Sequence, residues 1–154
     1  MTCEFQTFDI TRLIAARPET VFRLWTDARL KEEWFCWNGN GWTHDTYDAD
    51  LIEGGFERVR FTHPEVGSFR YESHLFHVLP ASRLIYGYTM LGNTGPISVS
   101  QATVAIEPAE GGAQATYTEQ VVFLDGGDSL DTRLPGCVAV MDRMKDHAEA
   151  SNDD

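Results

Sequence analysis

Two glutamates stand where a carboxylate could do chemistry. In the stretch from Phe56 to Thr62, the alternation that turns Val59 and Phe61 inward turns Glu57 inward too, with Arg58 and Arg60 outward. In the stretch from Ala115 to Leu124, Glu119 is in phase with Tyr117 and Val121. A carboxylate taken out of water is costly unless it is paired or protonated. Each glutamate is therefore a candidate polar handle for a ligand or a general base. The plainer alternative is a strand-end carboxylate that reaches water or pairs with an arginine.

The other reactive types converge on nothing. His74 and His77 lie three apart on one strand, so strict alternation sets them on opposite faces, and only a bulge would let them share a metal. His44 and His63 fall in or beside turns. A zinc site needs three or four converging ligands, so no metal and no cofactor is expected. Cys3, Cys36 and Cys137 are odd in number, far apart and without a CxxC pair, as free thiols of a reducing compartment would be. No GxSxG, GxGxxG or GxxxxGK[ST] phrase occurs, so nothing supports a serine hydrolase or a nucleotide enzyme. No catalytic residue is assigned.

Composition narrows the partners. The formal charge is −12, from 12 basic and 24 acidic residues. Such a field repels phosphates, so neither nucleic acid nor an anionic membrane is an expected partner. The opening MTCEFQTFDI lacks a basic segment followed by an apolar one, and no run reaches membrane-spanning length. The expectation is a cytoplasmic protein. A length of 154 residues fits one domain, 1–154, with an ordered core over about 5–148 and a polar end from Ala148 to Asp154 that should fray. Aromatic residues make up 12 % of the chain, enough to fill a core and to wall a space within it.

These side chains need elements to position them. Phe5 to Ala15 reads as a strand. Pro18 suits the first turn of a helix carrying Val21, Phe22 and Trp25, and Asp27 suits the N-cap of a second short helix running to Trp34. NGNGWTHD reads as a loop, and Trp42 within it and Trp37 immediately before it are candidates for a lid or a partner contact. Six strands follow: Tyr47–Ile52, Phe56–Thr62, Phe69–Leu79, Arg83–Leu91, Ile97–Ile106 and Ala115–Leu124. Turn signals separate them, among them Gly54-Gly55 and the HPEVG stretch, so neighbours should pair antiparallel. Ser129 to Glu149 reads as the terminal helix, with Val138, Met141 and Met144 on one stripe, widened by Cys137 and Val140. Pro135 and Gly136 interrupt it. Either the main helix begins there, the reading preferred here, or Pro135 kinks a longer one. The fold class is α+β: one antiparallel sheet of about seven strands, two short helices after the first strand, and a long C-terminal helix as the sheet's cover.

Several phrases resemble the START-like (SRPBCC) superfamily, within it the branch related to the activator of Hsp90 ATPase. They are Pro18-x-x-Val21-Phe22, Trp25-Thr26-Asp27, Leu30, Trp34-Phe35, Gly54-Gly55, Pro80-x-x-Arg83-Leu84, ISVSQATVAIEP (97–108), YTEQVVFLDGGD (117–128), then Arg133, Gly136, Met141 and Met144. Their order and spacing over roughly residues 8–147 carry the resemblance more than any one of them. Pro96, Cys137, Met141 and Met144 depart from the usual pattern.

The resemblance implies the helix-grip fold, a curved sheet wrapped around the last helix, with a hydrophobic cavity between them. The leading expectation is a module that binds a small apolar molecule against Phe61, Tyr71, Tyr88, Tyr117, Met141 and Met144. Glu119 or Glu57 would orient its polar end; Glu119 is the stronger candidate because it lies in one of the characteristic runs. A chaperone-partner-like interaction module and a cyclase- or dehydratase-type enzyme using a cavity carboxylate are the alternatives. A homodimer through a sheet edge or helix face is a further expectation.

Overall fold

The computed structural model describes residues 1–151. Its order is β1 (Cys3–Ile14), α1 (Pro18–Thr26), α2 (Ala28–Phe35), β2 (Thr43–Asp50), β3 (Phe56–His63), β4 (Gly67–Leu79), β5 (Arg83–Gly92), β6 (Gly95–Ala109), β7 (Gly112–Leu124) and α3 (Leu130–Ala150). The seven strands form one antiparallel sheet in the order β1-β7-β6-β5-β4-β3-β2. From β2 to β7 consecutive strands are neighbours, as short turns require. Only β1 crosses the sheet, pairing with β7 at the far edge. The helices cover one face, and α3 packs on β1, α1 and α2.

Alternation sets the inner face. On β7, Ala113, Ala115, Tyr117, Glu119, Val121 and Phe123 are all buried, and on β4 so are Tyr71, Ser73 and Leu75. In the helical layer, Pro18 occupies the first turn of α1, where its missing N–H costs nothing. Asp27 closes α1 and caps α2 by accepting from the Leu30 amide at 3.1 Å. These two short helices fix Trp25 edge-on to Trp34, with ring centroids 4.8 Å apart.

Most strand ends shift by one to three residues, and three departures from the boundaries the sequence implies have a clear physical reason. First, β2 begins at Thr43 rather than Tyr47. A bulge at Asp45 breaks the period of two, so THDT does not read as strand. Second, α3 begins at Leu130, and Pro135 lies inside it. The proline removes one amide from the ladder near the helix start, and the turn before it stays helical because Arg133 is anchored to the sheet. Third, the helix does not fray from Ala148, which is buried and holds the last turn to Ala150. Residues 152–154 lie outside the described residues.

A second bulge, at Phe76, restarts the alternation of β4, so that Leu75 and Val78 both belong to the core while His74 is exposed. His77 accepts a hydrogen bond from Arg83 Nε at 2.9 Å. Among the described residues no group of three or more His, Cys, Asp or Glu could hold a metal ion. No helix among them is long and apolar enough to cross a membrane.

Candidate functional site

Between α3 and the inner face of β3, β4, β5 and β7 lies a cavity of about 380 Å³. That is within the range of about 300–1,000 Å³ usual for small-molecule sites. Its wall is aromatic: Trp25, Phe35, Trp42, Phe61, Tyr71, Tyr86, Tyr88 and Tyr117. Met90, Val140, Met141 and Cys137 complete the apolar lining. Thr132 and Gly136, on the first turns of α3, line it and are exposed, which marks the side where it opens. A smaller space of about 210 Å³ adjoins it, sharing Phe35, Trp42, Phe61, Tyr71, Met90 and Val140, and reaches Trp37 and Arg143.

Of the residues expected at a ligand, Phe61, Tyr71, Tyr88, Tyr117 and Met141 border this space. Met144 does not; it is completely buried one helical turn beyond Met141 and fills core. Glu57 and Glu119 do not border it either, although both turn inward and are 1 % and 0 % exposed. Each is held behind the wall by a cation that takes the place a ligand group would have.

Glu119 is the centre of the larger cluster. Tyr88 donates to its Oε2 at 2.7 Å and Ser100 at 2.8 Å, and Tyr117 donates to Oε1. Arg133 Nη1 donates to Oε2 and to the Tyr88 hydroxyl oxygen, at 2.9 Å each. Arg133 Nη2 donates to Ser98 at 2.6 Å and to Asp128 at 2.8 Å. The Cys137 thiol lies 3.7 Å from Oε1. Glu57 forms the second cluster. Its Oε1 pairs with Lys31 Nζ at 2.7 Å, and its Oε2 accepts from Tyr47 at 2.7 Å. The Lys31 ammonium lies over the rings of Phe35, Trp25, Tyr86 and Trp34, 4.7 to 6.0 Å from their centroids.

These surroundings define the cavity's chemistry. Burial pushes the hydroxyls of Tyr71, Tyr86, Tyr88 and Tyr117 well above the ordinary tyrosine value, so each stays a neutral phenol. Burial, reinforced by the charge of Glu119, pushes the Cys137 thiol up to about 12, which leaves it unreactive rather than nucleophilic. Burial alone would lower the pKa of Arg133, but Tyr88, Glu119 and Asp128 outweigh it and raise it, so the guanidinium stays charged.

Lys31 and Arg133 are the residues that reasoning from the strands misses. Both carry a helical signal. Lys31 stands one turn before Trp34 and Phe35, and Arg133 is in phase with Gly136, Cys137, Val140 and Met144 on α3. The tryptophans of the Gly/Asn loop separate. Asn40 and Gly41 take φ of 52° and 88°, giving a two-residue reversal closed by Gly39 and Trp42, which exchange hydrogen bonds at 2.9 Å. That turn seats Trp42 in the wall against Phe61, His63 and Phe69. A Cβ on Gly41 would come 2.6 Å from His63 Nε2, so the tight seat also needs glycine there. Trp37 stays 44 % exposed, with Arg143 over its ring.

One antiparallel sheet gripped around a terminal helix, with an aromatic space between them, defines a START-like, helix-grip protein. Residues 15–148 match the family described as Activator of Hsp90 ATPase homolog 1-like protein, and the chain belongs to that family. Solved structures agree. It is similar to an uncharacterised protein from Rhizobium leguminosarum at 34 % identity and a TM-score of 0.90, over 96 % of this chain and 97 % of that one. It is similar to a protein from Rhizobium loti at 28 % identity and 0.86, over 96 % and 99 %. The AHSA1-like protein from Aeromonas hydrophila shares the fold at 18 % identity and 0.67, over 95 % and 94 %. No curated protein matches the chain.

Proposed function

We propose that the protein binds a small hydrophobic molecule in the cavity between the sheet and α3. The observation that carries this is the unfilled, aromatic-walled space itself, of the size and lining usual for small-molecule sites. An empty apolar volume of this size forfeits dispersion contacts along its whole lining, and a guest would restore them. The cyclase- or dehydratase-type alternative finds less support, because Glu119 and Glu57 sit behind the wall and are paired. The three free thiols fit the cytoplasmic placement.

Gly136 offers the test. It lies within α3, borders the cavity, and a Cβ built on it meets no atom within 4 Å. Gly136→Phe should place a ring in the opening without a clash. It also replaces a mid-helix glycine, which favours the helix by roughly 0.5 kcal/mol. Fluorescence titration with N-phenyl-1-naphthylamine, a neutral apolar dye, should show saturable binding to the native protein. In Gly136→Phe that binding should be at least about tenfold weaker while the melting temperature is kept or raised. Equal binding by both proteins, or none by the native one, would contradict the reading.

A further inference from the structure

The smaller space beside the main cavity has a charge of its own. Among the described residues its lining holds two basic side chains, His44 and Arg143, and no aspartate or glutamate. That is unexpected in a chain with 24 acidic residues against 12 lysines and arginines. The other titratable groups of the lining are neutral. Burial pushes the Cys36 thiol up to about 12 and holds the Tyr71 phenol well above its ordinary range. The His44 ring is committed to its neighbours, with Nδ1 3.1 Å from Asn38 Oδ1 and Nε2 3.1 Å from the Glu32 carboxylate.

Arg143 is not committed. It is half-buried on α3, and its Nε donates to the Trp34 carbonyl at 2.9 Å, which fixes the guanidinium plane. Its Nη1 and Nη2 make no hydrogen bond or ion pair among the described residues. Both stay accessible, because the buried side-chain atoms without a partner are confined to Trp25, Tyr71 and Ser73. The guanidinium lies over the Trp37 ring, 5.4 Å from its centroid, at the outer end of the space. Burial lowers its pKa from the usual arginine value, and Cys36 rather than a carboxylate opposes this. Arg133, at the main cavity, is the contrast: its terminal nitrogens go to Glu119, Tyr88, Ser98 and Asp128. A guanidinium stays charged and offers two parallel N–H donors that match a carboxylate. One such cation balances one negative charge, which suits a carboxylate better than a doubly charged phosphate.

We propose that the protein takes up apolar molecules ending in a carboxylate, with the tail in the main cavity and the carboxylate in the smaller space against Arg143 Nη1 and Nη2. This rests on the cavity reading above and adds the ligand's chemical class to it. The two spaces share Phe35, Trp42, Phe61, Tyr71, Met90 and Val140, so one molecule lies along a continuous apolar wall. The carboxylate supplies the counter-ion that the chain itself does not place beside Arg143.

Three probes of one shape test this: 4-phenylbutyrate, its neutral amide 4-phenylbutanamide, and the cation 4-phenylbutylamine. Binding of each is measured calorimetrically. On the native protein, phenylbutyrate should bind at least about fivefold tighter than phenylbutylamine, against the pull of a net charge of −12, which favours the cation. In Arg143→Met, which keeps the length and removes the charge, phenylbutyrate should lose about tenfold or more, the worth of a hydrogen bond to a charged group. Phenylbutanamide should change by less than about twofold in the same variant, which also shows that the cavity is intact. Equal losses for acid and amide, an unchanged acid affinity, or a native protein that prefers the amine would overturn the proposal. So would a native protein that binds N-phenyl-1-naphthylamine but not phenylbutyrate, and in each of these cases the cavity reading stands. A native protein that binds neither the dye nor any of the three probes would overturn both.

Discussion

Replacing Arg133 by methionine should destabilise the protein by about 3–5 kcal/mol, the usual cost of leaving a buried charge without its partner. For a domain of this size that lowers the melting temperature by roughly 10 °C or more. Methionine has nearly the length of arginine, so the variant removes charge and donors rather than volume. Glu119 would keep Tyr88, Ser100 and Tyr117 as donors but lose the only cation that contacts it among the described residues. Ser98 and Asp128 would lose their bonds to the guanidinium as well. The account makes a second demand on the same site. Adding Glu119→Gln removes the uncompensated charge while keeping an acceptor for the tyrosines, so the double variant should recover at least half of the loss. Urea unfolding of the two single variants and the double one measures this coupling directly. A loss below about 1 kcal/mol in Arg133→Met would show that the cluster is not what ties α3 to the sheet.

Lys31→Met should cost a similar amount, about 3–5 kcal/mol, for the same reason at the other cluster. Glu57 would be left with Tyr47 as its one donor among the described residues, so fewer hydrogen bonds remain to solvate the carboxylate than at Glu119. The variant also gives up the attraction of the ammonium to four aromatic rings, worth up to about 2 kcal/mol when desolvated. Methionine fits among rings well, so lost packing is not the main term. Lys31→Met combined with Glu57→Gln should be clearly more stable than Lys31→Met alone, by chemical denaturation. If the double variant is no better, the cost lies in the rings around Lys31 and not in the ion pair.

The two clusters also show how far the sequence can be read. Strand alternation places Glu57 and Glu119 inward with no further information, because a period of two leaves only two faces. It also places Tyr71, Tyr88 and Tyr117 there. What alternation cannot supply is the partner. Lys31 reaches Glu57 across 26 positions of chain and Arg133 reaches Glu119 across 14, and both come from helices whose rotation over the sheet is a tertiary fact. A lysine among tryptophans on a short helix, and an arginine in the apolar stripe of α3, are signals visible only once the helix faces are drawn.

The bulges at Asp45 and Phe76 were hidden for a related reason. A bulge is one extra residue in a ladder, and neither residue marks it: Asp45 merges with the loop signal before it, and Phe76 reads as ordinary strand. Pro135 misleads in the opposite direction. Its preference for a helix start is real, but the bonds of Arg133 to Ser98, Tyr88, Glu119 and Asp128 hold the preceding turn helical. The cavity itself leaves no mark in the sequence. Whether Met141, Tyr86 and Trp25 close a space or border one depends on shapes that meet only in the fold.

The central claim is that this space takes up a small hydrophobic molecule. The most direct measurement is native mass spectrometry of the freshly purified protein, repeated after denaturation and after incubation with N-phenyl-1-naphthylamine. The account predicts an adduct mass that is held in the folded protein, is lost on denaturation and is absent from Gly136→Phe. A folded native protein that carries no adduct and takes up none of the dye would contradict it.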